Sequence, residues 1–161
     1  MGVSIKILDS ITKDIDLAEI MLKLLEAKKH ALEHFDSSKL EKLVPEIDKT
    51  IESLEENQTQ RNVLLNSLNL SKDEKGLKSF ADNIKSPILK KKFLAHFNTL
   101  EKILHKLGEL NSINSKVIKY NSMQVAQRIN ELYGNASQTT YDEKADHSIN
   151  LTSSSRVSGK I

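Results

Sequence analysis

Two histidines are the residues whose type and spacing come nearest to a metal site in this sequence. His30 and His34 are four positions apart, so both rings share one face of a helix, and Glu33 lies between them. The helix of zinc proteases instead carries a glutamate directly after its first histidine. No third ligand stands near this pair. We therefore predict histidines that face solvent and no bound metal.

Residues for other catalytic chemistries are missing from the sequence. The chain has no cysteine, which excludes a disulfide framework, a zinc ribbon and a thiol nucleophile. Its five glycines are scattered and form no phosphate loop, and Asp73-Glu74 lacks the alternating oxygen ligands of a calcium loop. No serine stands in a nucleophile elbow. We predict a protein that is not an enzyme and needs no cofactor.

Charge gives little reason to expect a nucleic-acid partner. Lys and Arg number 24 and Asp and Glu number 22, which leaves a formal net charge of +2. The densest basic run consists of Lys85, Lys90, Lys91 and Lys92. We interpret this run as the solvated start of a helix and expect no nucleic acid.

Length and hydropathy favour one domain without a membrane segment. A chain of 161 residues has the usual size of a single domain. No apolar run approaches the ~20 residues needed to span a bilayer, and the start Met1-Gly2-Val3-Ser4-Ile5-Lys6 has no apolar signal core. Together with the absence of cysteine, this predicts a cytoplasmic protein with no direct membrane insertion.

Three segments carry apolar residues at alternating three- and four-residue spacing, as in helices that pack like a coiled coil. They cover about residues 4–35, 38–68 and 86–133. The pattern predicts an all-α fold, an elongated antiparallel three-helix bundle resembling a coiled coil, with a long C-terminal helix. We expect a single helical domain over residues 1–133. Residues 134–161 are rich in Ser, Thr, Asn and Asp, and are expected to form a flexible, disordered tail.

Capping residues mark the expected helix starts. Asp36 and the two serines after it are suited to cap the second helix, in which Pro45 either delays the start or introduces a kink. Ser86-Pro87 combines a good N-cap with the residue favoured at the first helical position. Between residues 69 and 85 we expect a surface connection, with at most a short helical turn around residues 76–81.

The distal half of the third helix is the candidate interaction site. The helix is longer than the two that are expected to cover it, so part of its apolar stripe lacks an intramolecular partner, and such a surface is typical of a binding site. The alternative is that the stripe closes a homodimer or packs against the segment around Phe80. The candidate partner-binding residues are Leu107, Leu110, Ile113, Val117, Tyr120, Met123, Ile129 and Leu132.

Three features together resemble the FlgN family of flagellar export chaperones. Lys49 and Arg61 precede the run Leu64-Leu65-Asn66-Ser67-Leu68-Asn69-Leu70, which is similar to the family's K, R and LL-x-x-L-x-L pattern. The third helix contains Leu110-Asn111-Ser112-Ile113-Asn114, as in the family's Asn-rich helix. Most specific is Leu132-Tyr133-Gly134-Asn135-Ala136-Ser137-Gln138-Thr139, which is similar to the family's L-Y-G-x-x-x-Q-T segment.

The resemblance implies a function for the distal helix. Members of the family are cytoplasmic helical chaperones that hold the hook–filament junction proteins FlgK and FlgL through their terminal helices and deliver them to the export gate. By resemblance, the distal stripe binds the substrate, and Tyr133 contacts the cytoplasmic domain of the gate protein FlhA. The segment Tyr141-Asp142-Glu143-Lys144-Ala145 lacks the glycine found in many members, so both Tyr133 and Tyr141 are candidates for gate docking.

A structural protein is the competing interpretation. A coiled-coil adaptor or dimerisation protein without an export role explains the apolar spacing equally well. It does not explain the segment around Tyr133, nor an apolar stripe that continues beyond its partners.

Overall fold

The computed structural model describes residues 2–133, which form four helices that account for 89% of them, with no strand. The predicted all-α fold with a long C-terminal helix is therefore confirmed. The expected tail, residues 134–161, lies outside the described residues. The helices are α1 (Val3–Glu33), α2 (Ser37–Ser67), α3 (Glu74–Asp82) and α4 (Pro87–Tyr133).

Left-handed residues end both α1 and α2. Phe35 has a φ of 53°, and the amides of Phe35 and Asp36 return to the carbonyls of Leu32 and Ala31. Asn69, with a φ of 57°, ends α2 through the same pair of bonds. Both are Schellman endings, which satisfy carbonyls at the end of a helix. Asparagine tolerates this conformation, whereas Phe35 carries a strain of roughly 1–2 kcal/mol.

The start of α2 follows from its capping residue. The Asp36 carboxylate accepts the amide of Lys39 at 3.0 Å, as expected for an N-cap. The helix begins at Ser37 and continues through Pro45, which is exposed. The alternative in which Pro45 delays the start is therefore wrong.

The connection between α2 and α4 contains more structure than the sequence indicates. In place of at most a short turn, α3 is a helix of nine residues. Its N-cap Asp73 accepts the amide of Gly76 at 3.1 Å and the hydroxyl of Ser71. The Ser71 hydroxyl and the Gly76 amide lower the pKa of Asp73, because they stabilise its ionised form. A Cβ on Gly76 would lie 1.8 Å from the Ser71 carbonyl oxygen, so only glycine fits there.

The start of α4 confirms the prediction from Ser86-Pro87. The helix begins at Pro87, and the Ser86 hydroxyl oxygen accepts the amide of Leu89 at 3.3 Å. Proline loses nothing at this position because its missing N–H would have no helical acceptor.

The described chain divides into two compact units. Unit 1 contains the chain up to Leu24 together with Val44–Leu107. Its core joins α3 to α4 through aromatic rings, with Phe80 and Phe93 in an edge-to-face contact at 5.2 Å and Phe97 beside Phe93. Its buried apolar residues are Ile7, Leu8, Ile11, Ala18, Met21, Ile47, Leu65, Phe80, Ala81, Phe93, Leu100, Ile103 and Leu107.

Unit 2 has a smaller core. It contains Leu25–Leu43 together with α4 from Gly108 onward. No described residue of α4 after Asn114 is buried. The buried residues of this unit are Leu25, Ala31, Leu32, Leu43, Leu110 and Asn114.

None of the helices formed by residues 2–133 is both long and apolar enough to cross a bilayer.

Candidate functional site

Two asparagines of α4 fix its position against α1 within unit 2. The amide of Asn114 donates to the Leu25 carbonyl at 3.1 Å, and that of Asn121 donates to the Leu32 carbonyl at 2.9 Å. The two donors are seven residues apart on α4, and the two acceptors are seven residues apart on α1 in the same order. The two helices therefore run parallel here, and the two bonds are about two helical turns apart. The polar interruptions of the predicted stripe therefore make hydrogen bonds inside the protein.

This register determines where α1 stops covering α4. Because Leu32 lies opposite Asn121 and α1 ends at Glu33, α4 continues for about three further turns to Tyr133. Residues 123–133 form this overhang. Among its apolar residues, Ala126 and Ile129 are half-buried and the others are exposed, namely Met123, Val125, Leu132 and Tyr133.

The structure divides the eight predicted partner-binding residues between core and surface. Leu107 and Leu110 are buried, with exposed fractions of 1% and 8%, so both side chains pack in the core. Val117 and Ile129 are half-buried. The remaining four, which present apolar surface to solvent, are Ile113, Tyr120, Met123 and Leu132.

The apolar residues of the overhang lie on more than one side of the helix. At 100° per residue, Val125 and Leu132 fall on the line that continues from Asn114 and Asn121, which is the side that faces α1 higher up. Tyr120 lies about 120° away from this line around the helix and Met123 about 180° away, on the opposite side, and both are 61% exposed. The overhang therefore offers a partner helix two apolar sides, one formed by Val125 and Leu132 and the opposite one by Met123.

The two candidates for gate docking differ in what the structure describes. Tyr133 is the last residue of α4 and is 78% exposed. Its ring is accessible to a partner at the tip of the overhang. Tyr141 lies outside the described residues.

The histidine pair faces solvent, as predicted. The rings of His30 and His34 stack with centroids 4.1 Å apart, and the ring Nδ1 of His34 is within 2.8 Å of the His30 carbonyl oxygen. Both residues are exposed. Across residues 2–133, no group of three or more His, Cys, Asp or Glu side chains is arranged to hold a metal ion.

The basic run at the start of α4 is solvated, also as predicted. Lys85, Lys91 and Lys92 are exposed. Lys90 is half-buried and its ammonium lies 3.9 Å from the Asp82 carboxylate, which joins the end of α3 to α4.

A buried polar network between α1 and α2 in unit 1 was not predicted. The Asp14 carboxylate accepts the Asn57 amide at 2.5 Å and pairs with the Arg61 guanidinium. Asn57 also donates to the Ser10 carbonyl at 2.8 Å, and Arg61 donates to the Ser10 hydroxyl at 3.2 Å. One sequence signal could have indicated this network. Ser10 and Asp14 are polar residues within the apolar stripe of α1, on the side of the helix that also carries Ile7 and Ile11.

Comparisons with known proteins agree with this fold. The model of the FlgN protein family matches residues 1–148. A solved structure of a flagella synthesis protein, FlgN, from Pseudomonas aeruginosa is similar at 25% identity and a TM-score of 0.60, covering 68% of this chain and 84% of that one. A comparison with curated proteins finds no significant match.

Proposed function

Since the chain belongs to the FlgN family, we propose that it is a cytoplasmic flagellar export chaperone, a binding protein rather than an enzyme. Its cargo is the terminal helices of the hook-associated proteins FlgK and FlgL. It prevents their premature association and delivers them to the cytoplasmic domain of the export gate protein FlhA.

The overhang of α4 is the observation that carries this proposal. Val125 and Leu132 are 50% and 79% exposed on one side of the overhang, and Met123 is 61% exposed on the opposite side. An exposed apolar stripe on one helix suits a second amphipathic helix, which lays its own apolar face against it. Each large apolar side chain that such a partner buries contributes about 1.5–3 kcal/mol.

The half-buried residues extend the proposed cargo surface toward the core. Val117 and Ile129 lie between the exposed side chains and the buried ones, so a bound helix can cover them from the overhang. Leu107 and Leu110 are buried and are not expected to contact cargo.

The cargo proposal is tested by light scattering after size-exclusion chromatography. The full chain is mixed with the terminal helical segment of FlgK, and separately with that of FlgL. We expect a discrete complex that Leu132→Asp removes, because the charge enters an apolar contact, while circular dichroism shows an unchanged fold. Ile88→Asp is the matched control: Ile88 is 83% exposed on the same helix but far from the overhang.

Other outcomes of this experiment assign the surface differently. A complex that survives both Met123→Asp and Leu132→Asp would place cargo elsewhere. A stable dimer of the protein alone that Met123→Asp dissociates, without any complex, would support the adaptor interpretation, in which a second copy covers the overhang.

Gate docking is tested separately from cargo binding. We expect Tyr133→Ala to leave the cargo complex intact and to lower the affinity for the FlhA cytoplasmic domain. Tyr120→Ala is the reciprocal control, since Tyr120 lies in the proposed cargo surface and its loss should not change gate affinity. Unchanged gate affinity in Tyr133→Ala, with a loss in Tyr141→Ala, would assign docking to Tyr141.

A further inference from the structure

A cleft of about 530 Å³ lies between α1 and α2 in unit 1. We call it the α1–α2 cleft. Its α1 wall carries Lys6, Ser10 and Lys13, which are spaced four and three residues apart and share one face of the helix. No residue of the cleft belongs to the surface proposed for cargo, so binding in the cleft is independent of the proposed function.

The inner part of the cleft contains a cation that is held in place. The Arg61 guanidinium pairs with the Asp14 carboxylate and donates to the Ser10 hydroxyl at 3.2 Å, and its side chain is 11% exposed. Those two acceptors fix the orientation of the guanidinium. The amide of Asn57, which also lines the cleft, is held by Ser10 and Asp14. An anionic group entering the cleft thus meets a guanidinium that needs little rearrangement, whereas both N–H groups of the Asn57 amide are already used.

Two further cations flank this position. Lys6 and Lys13 are exposed, and neither has an ion-pair partner among residues 2–133. Asp9 is the one carboxylate among the residues that line the cleft. Asp14 does not line the cleft but pairs with Arg61. Three cations against two carboxylates leave one net positive charge. This balance attracts an anionic group such as a carboxylate.

The α2 wall of the cleft also carries apolar residues, beyond Asn57, Gln60 and Arg61. Val63 and Leu64 line it, and Val63 is 64% exposed. A ligand that fits the cleft needs a carboxylate near Lys6, Lys13 and Arg61 and an apolar group near Val63 and Leu64. Neighbouring acidic and aliphatic side chains of a peptide meet this requirement, and the cleft volume is within the usual range of ligand sites.

We propose that the α1–α2 cleft is a docking site for an acidic peptide segment of a partner protein. A Glu or Asp carboxylate of the segment lies against Arg61 between Lys6 and Lys13, and its aliphatic neighbour packs on Val63. The positive charge attracts the segment over about a Debye length, so binding weakens as salt rises.

The test uses the full chain labelled with nitrogen-15 and two peptide probes that differ only in charge. Acetyl-Leu-Glu-Glu-Leu-amide is the acidic probe and acetyl-Leu-Gln-Gln-Leu-amide is the neutral one. We expect the acidic probe to shift the side-chain amide signals of Asn57 and Gln60, which both line the cleft. Its affinity should exceed that of the neutral probe about tenfold and should fall as sodium chloride is added.

Charge-removing variants locate the binding. The double variant Lys6→Gln with Lys13→Gln is expected to lower the affinity for the acidic probe about tenfold. The matched control is Lys39→Gln with Lys42→Gln, two exposed lysines of α2 that lie outside the cleft, and it should bind like the unmodified protein. Arg61 is left unchanged because it holds the network together.

Four results would overturn the proposal. The first is that the protein binds the neutral probe as tightly as the acidic one, and the second is that NMR signals shift at the lysines of α4 in place of Asn57 and Gln60. The third is that inorganic phosphate binds more tightly than the acidic probe. The fourth is that the protein forms a dimer that Lys6→Gln with Lys13→Gln dissociates. The last of these would identify the cleft as an interface between two copies of this chain.

Discussion

Removing the carboxylate of Asp14 should be among the most damaging single changes to this fold. Asp14 is 6% exposed and accepts from both Asn57 and Arg61. In Asp14→Ala the guanidinium remains in its buried position without a counter-ion. Breaking a buried pair in this way costs about 3–5 kcal/mol. At the lower figure, the folding equilibrium constant falls roughly 150-fold.

The exposed pair Lys29–Glu33 provides the matched control. Its side chains are 39% and 45% exposed, and the charged atoms are 3.8 Å apart. Water screens such a pair, so Glu33→Ala should cost less than about 0.5 kcal/mol. Urea unfolding followed by far-ultraviolet circular dichroism measures both variants against the unmodified protein.

A third variant separates the loss of the pair from the loss of packing. Asp14→Leu with Arg61→Leu removes both charges, and we expect it to regain most of the stability that Asp14→Ala loses. The reasoning is refuted if Asp14→Ala costs no more than Glu33→Ala. It is also refuted if the double variant is as unstable as the single one.

Three more predictions concern the helix ends. Phe35→Gly should raise stability by about 0.5–1 kcal/mol in urea unfolding, since glycine removes the left-handed strain but loses more chain entropy on folding; no change would show that Phe35 is not strained. Gly76→Ala should lower the thermal midpoint, because its Cβ meets the Ser71 carbonyl and such overpacking costs about 1–3 kcal/mol; a tolerated alanine would contradict the close approach. The folded pKa of Asp73 is lowered, so its contribution to stability is complete above its unfolded pKa and is lost as pH falls through the folded pKa. Asp73→Asn keeps a capping oxygen, but its stability should fall less steeply as the pH is lowered. An acid transition identical to that of the unmodified protein would show that Asp73 does not contribute to the acid sensitivity.

The helices could be predicted from sequence because their signals are local. The apolar spacing and the caps Asp36 and Ser86 depend only on residues within a few turns. The predicted bounds of the three long helices therefore differ from the observed ones by at most two residues. The short helix α3 was missed because Gly76 near its start indicates a break in isolation. Its stability depends on the Asp73 cap and on Phe80 packing against Phe93, and the second contact is not local.

The candidate site was predictable in outline and not in detail. A long apolar helix indicates an uncovered surface, but the point at which cover ends depends on the register between α1 and α4. That register is set by Asn114 and Asn121 meeting particular carbonyls, which no spacing within one helix reveals. For the same reason Leu107 and Leu110 seemed equivalent to Met123 in the sequence. The pairing of Asp14 with Arg61 was equally inaccessible, since 47 positions separate them.

The end of burial at Asn114 also bears on how this protein can change over generations. Upstream, a substitution on the inner side of α4 disturbs neighbours such as Phe93, so folding restricts which side chains are accepted. In residues 123–133 an apolar side chain can be exchanged for another with little consequence for the core. The apolar surface of the overhang is thus able to diverge while the rest of the chain keeps its fold.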